Sequence, residues 1–146
     1  MRTLLMMDGD QAFLGAAERS ARALGFTVFV ARTGSEFQRL YRRHAPEVIL
    51  LGVVMPEVDG FEVTAWLCEQ GATAHLLLVS AHSPQYAEWI MHLAEINGGL
   101  SVEILRRPMD ETDLAAVLES QARPTVPRTV QEGNNGNNDT VPPRDA

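Results

Sequence analysis

The chain contains no lysine: all twelve of its basic residues are arginine. Any mechanism that requires a lysine ammonium is therefore excluded. Cysteine is nearly absent too, and the single thiol of Cys68 excludes both a disulfide framework and a multi-thiolate metal site. No apolar run approaches the roughly 18 residues that a spanning helix needs. The opening Met1-Arg2-Thr3-Leu4-Leu5-Met6-Met7 meets Asp8 too early for a signal peptide, so a cytoplasmic location without membrane contact is expected. Positive charge is the minority sign. A net charge of −7 and a pI near 5.0 argue against a nucleic-acid surface.

What remains is a composition suited to one packed domain, with 45% hydrophobic and 21% charged residues in 146. That composition changes after Arg123. Residues 124–146 hold four of the eight prolines, an Asn/Gly run and only three valines as sizeable apolar residues. Such a segment buries too little surface to offset its ordering entropy, so a disordered tail is expected there. The tail carries Arg128 and Arg144 against Glu132, Asp139 and Asp145, which leaves most of the negative charge on residues 1–123.

Residues 1–123 alternate between two patterns. Short apolar or β-branched runs at 3–7, 27–31, 48–51, 76–79 and 102–105 read as strands, several of them buried on both faces. Between them lie helical stretches. Residues 11–24 place Phe13, Leu14, Ala17, Ala21 and Leu24 on one side before Gly25; residues 35–43 offer Phe37, Leu40 and Tyr41 before Pro46. Asp59 opens a third helix that ends at Gly71, Ser83-Pro84 starts a fourth running to about Ile96, and residues 110–121 form a fifth. Five βα units with short links predict an α/β, doubly wound parallel sheet with right-handed crossovers. In such sheets ligands meet the carboxyl ends of the strands. The segments to inspect are thus Asp8-Gly9-Asp10, Gly52, Ser80-Ala81 and Arg107-Pro108.

These segments resemble the receiver domain of two-component response regulators. The resemblance rests on Met7-Asp8-Gly9-Asp10 and on the run from Pro46 through Gly52 to Met55-Pro56-Glu57-Val58-Asp59-Gly60. It is completed by Leu78-Val79-Ser80-Ala81 and Arg106-Arg107-Pro108. It implies a flavodoxin-like (βα)5 fold with strand order 2-1-3-4-5. It also implies phosphoryl transfer to an aspartate after the third strand. In the family, that aspartate and two acids after the first strand hold Mg²⁺, and a lysine after the fifth strand faces the phosphoryl oxygens. A Ser or Thr after the fourth strand and an aromatic residue on the fifth act as the switch.

Carried onto this chain, most of that apparatus is missing. The phosphoacceptor position is Gly52, which has no side chain to phosphorylate. The two acidic positions are Asp8 and Gly9, with Asp10 at the margin; the lysine position is Arg107. The switch hydroxyl is kept as Ser80, while the aromatic switch position is Ile104. No catalytic residue, no metal site and no cofactor are expected, because too few carboxylates remain for specific Mg²⁺ binding. Two arrangements are open for Arg107: an ion pair with Asp8 that replaces the metal, or a side chain extended to solvent. A hydrolase triad of Ser80, His82 and Asp8 lacks the strained turn around its serine, and the four histidines lack paired ligand spacing.

The fourth helix has an unusually wide apolar arc. At 100° per residue, Ala87, Ile90, Met91 and Ala94 form one stripe, and Tyr86, Trp89, Leu93 and Ile96 form a second. Tyr86, Trp89 and Leu93 are expected at a protein–protein surface, either on the face of fourth helix, fifth strand and fifth helix or with Trp89 folded back as core. The partner would be a histidine kinase, an output protein or a second copy. The expectation is a stand-alone, atypical receiver acting independently of phosphorylation and not as an enzyme, since only the tail follows Arg123. Two alternatives stay open: a regulator phosphorylated on a non-standard acid, and a small-anion sensor near Arg107 and Ser80.

Overall fold

A computed structural model describes residues 2–55, 57–81 and 84–122. The expected tail and the expected cap Ser83 lie outside these residues. Five strands, β1 (Thr3–Met7), β2 (Thr27–Val30), β3 (Val48–Gly52), β4 (His75–Ser80) and β5 (Ser101–Arg106), alternate with five helices. The helices are α1 (Gln11–Ala23), α2 (Gly34–His44), α3 (Gly60–Glu69), α4 (Pro84–Asn97) and α5 (Glu111–Ala122). All four strand pairings are parallel and the order is β2-β1-β3-β4-β5, as the resemblance implies.

Two cores explain why the inner strands read as unbroken apolar runs. On one face Leu5, Met7, Ile49, Leu51, Leu76 and Leu78 pack against Phe37 of α2, Val63 and Leu67 of α3, and Ala87, Ile90 and Ala94 of α4. On the other, Leu4, Met6, Val48, Leu50, Leu77 and Val79 meet Leu14, Ala17 and Ala21 of α1 and Leu114 and Leu118 of α5. Successive side chains of a strand point to opposite faces, so a strand covered on both sides must be apolar at every position. The edge strand β5 is only half covered, and Ser101, Glu103 and Arg106 reach solvent there.

Local chemistry sets the helix ends near the strand termini. Asp10 caps α1 by accepting from the Phe13 N–H at 3.1 Å. Asp59 caps α3 in a capping box, its Oδ1 accepting from Glu62 N–H at 2.9 Å while Glu62 Oε1 accepts from Asp59 N–H at 3.3 Å. Gly25 ends the α1 turn with a left-handed φ of 96°, a conformation that favours glycine.

Gly60 serves a different need. Its backbone is ordinary, but a Cβ there would stand 2.8 Å from the Gly52 carbonyl oxygen and 3.0 Å from Val53 Cα. The close approach lets Gly60 N–H donate to the Val53 carbonyl at 2.8 Å and seats the start of α3 on the end of β3. Gly60→Ala should therefore destabilise by about 1–3 kcal/mol through overpacking. Helix propensity alone would stabilise the variant by about 1 kcal/mol, so thermal unfolding decides by sign.

Candidate functional site

The carboxyl ends of β1, β3, β4 and β5 converge on Asp8, Gly52, Ser80 and Arg107. Register places them: Met7 pairs with Leu51, Gly52 with Val79, and Ser80 with Arg106. One further ladder bond, from Arg107 N–H to the Ser80 carbonyl at 2.9 Å, fixes the arginine backbone beside β4. Ser80 is buried, and Ile104 is half-buried and packs on the core beneath α2, α3 and α4.

Asp8 is the centre of this cluster. Its side chain is fully buried, with Oδ1 accepting from Asp10 N–H at 2.9 Å and lying 3.4 Å from Arg107 Nη1. The same Nη1 lies 3.3 Å from Asp10 Oδ2, so one guanidinium nitrogen bridges a buried and an exposed acid. The Arg107 guanidinium also sits over the Phe13 ring, 5.0 Å from its centroid. Of the two arrangements open from the sequence, the structure shows the ion pair, and Arg107 is largely covered.

The other carboxylate oxygen of Asp8 points at Gly52. A Cβ at Gly52 would meet Asp8 Oδ2 at 2.8 Å, Asp8 Cγ at 3.1 Å and Met55 Cγ at 3.3 Å. No left-handed φ demands glycine there; the space does. Asp8 thus leans into the volume that a side chain at position 52 would need. Among the described residues, Asp8 Oδ2 and Arg107 Nε are buried polar atoms without a hydrogen-bond partner. Burial raises the Asp8 carboxyl above its ordinary value, outweighing the Asp10 N–H and the Arg107 charge that lower it.

These donors do not fit a Mg²⁺ shell. Gly9 and Gly52 supply no carboxylate, Asp8 Oδ1 is taken by a backbone N–H and Arg107, and both Asp10 oxygens are engaged with the α1 cap and Arg107. Two of the family's three carboxylates are thus missing, and the Arg107 guanidinium places a positive charge between the two acids that remain. Among the described residues no group of three or more His, Cys, Asp or Glu side chains could hold a metal ion. No helix of the described residues is long and apolar enough to cross a membrane.

The second predicted site lies on α4, away from this cluster. Ala87, Ile90 and Ala94 are buried, Tyr86 and Leu93 are half-buried, and Trp89 is 63% exposed, so Trp89 is not core. The Tyr86 end of the stripe meets α3. The Tyr86 ring stacks on Phe61 of α3 (centroids 6.4 Å, planes 17° apart), and its hydroxyl donates to Asp59 Oδ2 at 3.0 Å. Trp89 then meets Tyr86 edge-on at 6.2 Å. The physical reason is helix phase: Tyr86 lies on one flank of the buried row, and that flank faces the α3 terminus.

Sequence reasoning missed two roles that have sequence signals. Asp10 directly precedes the α1 run, the ordinary place for a cap. Phe61, two residues past the Asp59 cap, is the aromatic that meets Tyr86.

The response regulator receiver domain profile matches residues 4–119. The Positive alginate biosynthesis regulatory protein of Pseudomonas aeruginosa is 31% identical over 115 residues, which cover 75% of this chain and 44% of that protein. Response regulator MprA of Mycobacterium leprae is 27% identical over 129 residues, covering 88% of this chain and 54% of that protein. The chain thus spans about half the length of these relatives. Among solved structures, a CheY-like response regulator receiver domain protein from Methanospirillum hungatei matches with a TM-score of 0.71 at 16% identity, covering 84% of this chain and 94% of that one. Vibrio cholerae chemotaxis protein CheY4 matches at 0.69 and 20%, covering 82% and 98%. The last two show the fold, and the profile match from β1 into α5 shows the family. The chain belongs to the response regulator receiver domain family, the signalling modules of two-component systems.

Proposed function

We propose that this receiver works without phosphorylation, as a protein-interaction module held near one conformation by the Asp8–Arg107–Asp10 cluster. The observation that carries the reading is the Asp8 carboxylate lying in the space that an acceptor side chain at position 52 would occupy. Family chemistry uses a phosphoryl group to recruit the hydroxyl after β4 and move the residue on β5. Here the charge that would do so is balanced internally, and Ile104 offers an aliphatic side chain in place of a switching ring. In this reading the chain is not an enzyme, needs no Mg²⁺, acts in the cytoplasm and contacts proteins and not nucleic acid. Receiver domains meet kinases and output domains, and this one would do so in a constant state.

The test is the backbone amide NMR spectrum of the full chain in Mg²⁺ with and without acetyl phosphate. The reading expects superimposable spectra. New shifts at Ser80, Ile104 and α4 would overturn it in favour of an acid such as the exposed Asp10 accepting the phosphoryl group. Shifts confined to Arg107 and Ser80 with inorganic phosphate alone would favour an anion sensor.

A further inference from the structure

We propose that the surface shared by α3 and α4 docks a cationic amphipathic segment of a partner protein, with Phe61, Tyr86 and Trp89 as its apolar anchor. The inference rests on the interaction-module reading and names the surface and the partner's chemistry.

Exposure supplies the first argument. Phe61, Trp89 and Ile96 are 38%, 63% and 83% exposed, and they account for three of the four exposed large apolar side chains among the described residues. Tyr86 joins Phe61 to Trp89 through the stacked and edge-on contacts, so the aromatic groups form one patch across two helices. The stripe continues to Ile96, about 15 Å along α4. That is the footprint of a few helical turns of a partner, and tyrosine and tryptophan are residue types that anchor such contacts.

Charge supplies the second. Residues 44–105 contain eight carboxylates and neither arginine nor lysine; the rest of the chain nearly balances, with twelve arginines against eleven acids. The net negative charge of the protein is thus concentrated in the segment that builds α3 and α4. Asp59 and Glu62 stand on the α3 side of the patch and Glu88 and Glu95 on α4, with the imidazole of His92 the one titratable nitrogen on either helix. The Tyr86 hydroxyl registers this field: burial first, then the Asp59 hydrogen bond and the Asp59 and Glu62 charges, make it harder to ionise. An apolar patch in an anionic surround repels nucleic acid and anionic lipid. It attracts a segment whose arginines or lysines flank an apolar face, and arginine can also stack on the exposed Trp89.

The experiment uses the full chain and two synthetic helical peptides with the same leucine face, one flanked by arginine and one by glutamate. Titration followed by tryptophan fluorescence and calorimetry is expected to show binding of the arginine peptide only, weakened at least tenfold by Trp89→Ala and severalfold by Glu62→Gln with Glu88→Gln. Trp89 is exposed, so its variant should keep the wild-type melting temperature. Equal binding of both peptides, no binding of either with or without acetyl phosphate and Mg²⁺, or an arginine peptide indifferent to Trp89→Ala would overturn the proposal. Self-association in sedimentation that Trp89→Ala abolishes would overturn it too, in favour of a second copy. Repeating the titration with acetyl phosphate and Mg²⁺ separates the two readings. Binding seen only then would keep the surface and overturn phosphorylation independence; no binding in either condition, with an unchanged amide spectrum, would overturn the surface alone.

Discussion

Gly52→Asp, which restores the family's acceptor residue type, is expected to destabilise the domain by about 2–4 kcal/mol. The backbone at Gly52 accepts any residue, so the cost lies in the space. The new Cβ would stand 2.8 Å from Asp8 Oδ2 and 3.3 Å from Met55 Cγ. Asp8 cannot yield freely, because its Oδ1 is held by the Asp10 N–H at 2.9 Å and faces Arg107 at 3.4 Å. Beyond the clash, a second carboxylate would enter a pocket where the first is already fully buried. Gly52→Ala separates the two contributions: it keeps the steric part and should cost about 1 kcal/mol. Combining Gly52→Asp with Asp8→Ala should recover most of the loss. Denaturant unfolding of the four proteins checks the order; a Gly52→Asp variant as stable as wild type would show that Asp8 does not fill that space.

Arg107→Ala is expected to lower stability by about 2 kcal/mol, since it leaves a buried carboxylate without its counter-charge. Asp8→Asn should do the reverse and raise the melting temperature at neutral pH. The sign follows from Asp8 titrating above its ordinary 3.8 when folded. A raised carboxyl contributes stability that is present below 3.8 and lost as pH rises through the folded value, because only the folded protein holds the proton tightly there. The advantage of Asp8→Asn over wild type should therefore vanish at low pH and grow as pH rises. In the Asp8→Asn background, Arg107→Ala should cost far less, as the remaining contacts of Arg107 are the exposed Asp10 and the Phe13 ring. A double-mutant cycle measures that coupling, and additive losses would count against the pair.

Much of this fold is legible in the sequence because the strands are covered on both faces. Val48 to Leu51 and Leu76 to Val79 have no polar position to confuse with a helix, and Gly25, Pro46 and Gly71 stop α1, α2 and α3. The pairing of Asp8 with Arg107 is one of the two arrangements that the sequence leaves open, since removing two acids from a pocket leaves one charge of each sign but does not say where the guanidinium points. What the sequence does not display is side-chain direction. Glycine at position 52 reads as a missing acceptor; that Asp8 fills the vacated space depends on a rotamer that no pattern encodes. The α4 stripe has the same character. A wheel says that Tyr86, Trp89 and Leu93 share a flank, but which neighbour that flank meets depends on the docking of α3, 25 residues away in the Phe61–Tyr86 pair.

In the proposed function, no acid of this receiver accepts a phosphoryl group. Intact mass after incubation of the full chain with acetyl phosphate and Mg²⁺ tests it most directly. The account predicts an unchanged mass, under conditions that modify a receiver with a complete acidic site. A gain of about 80 Da, one phosphoryl group, would contradict it.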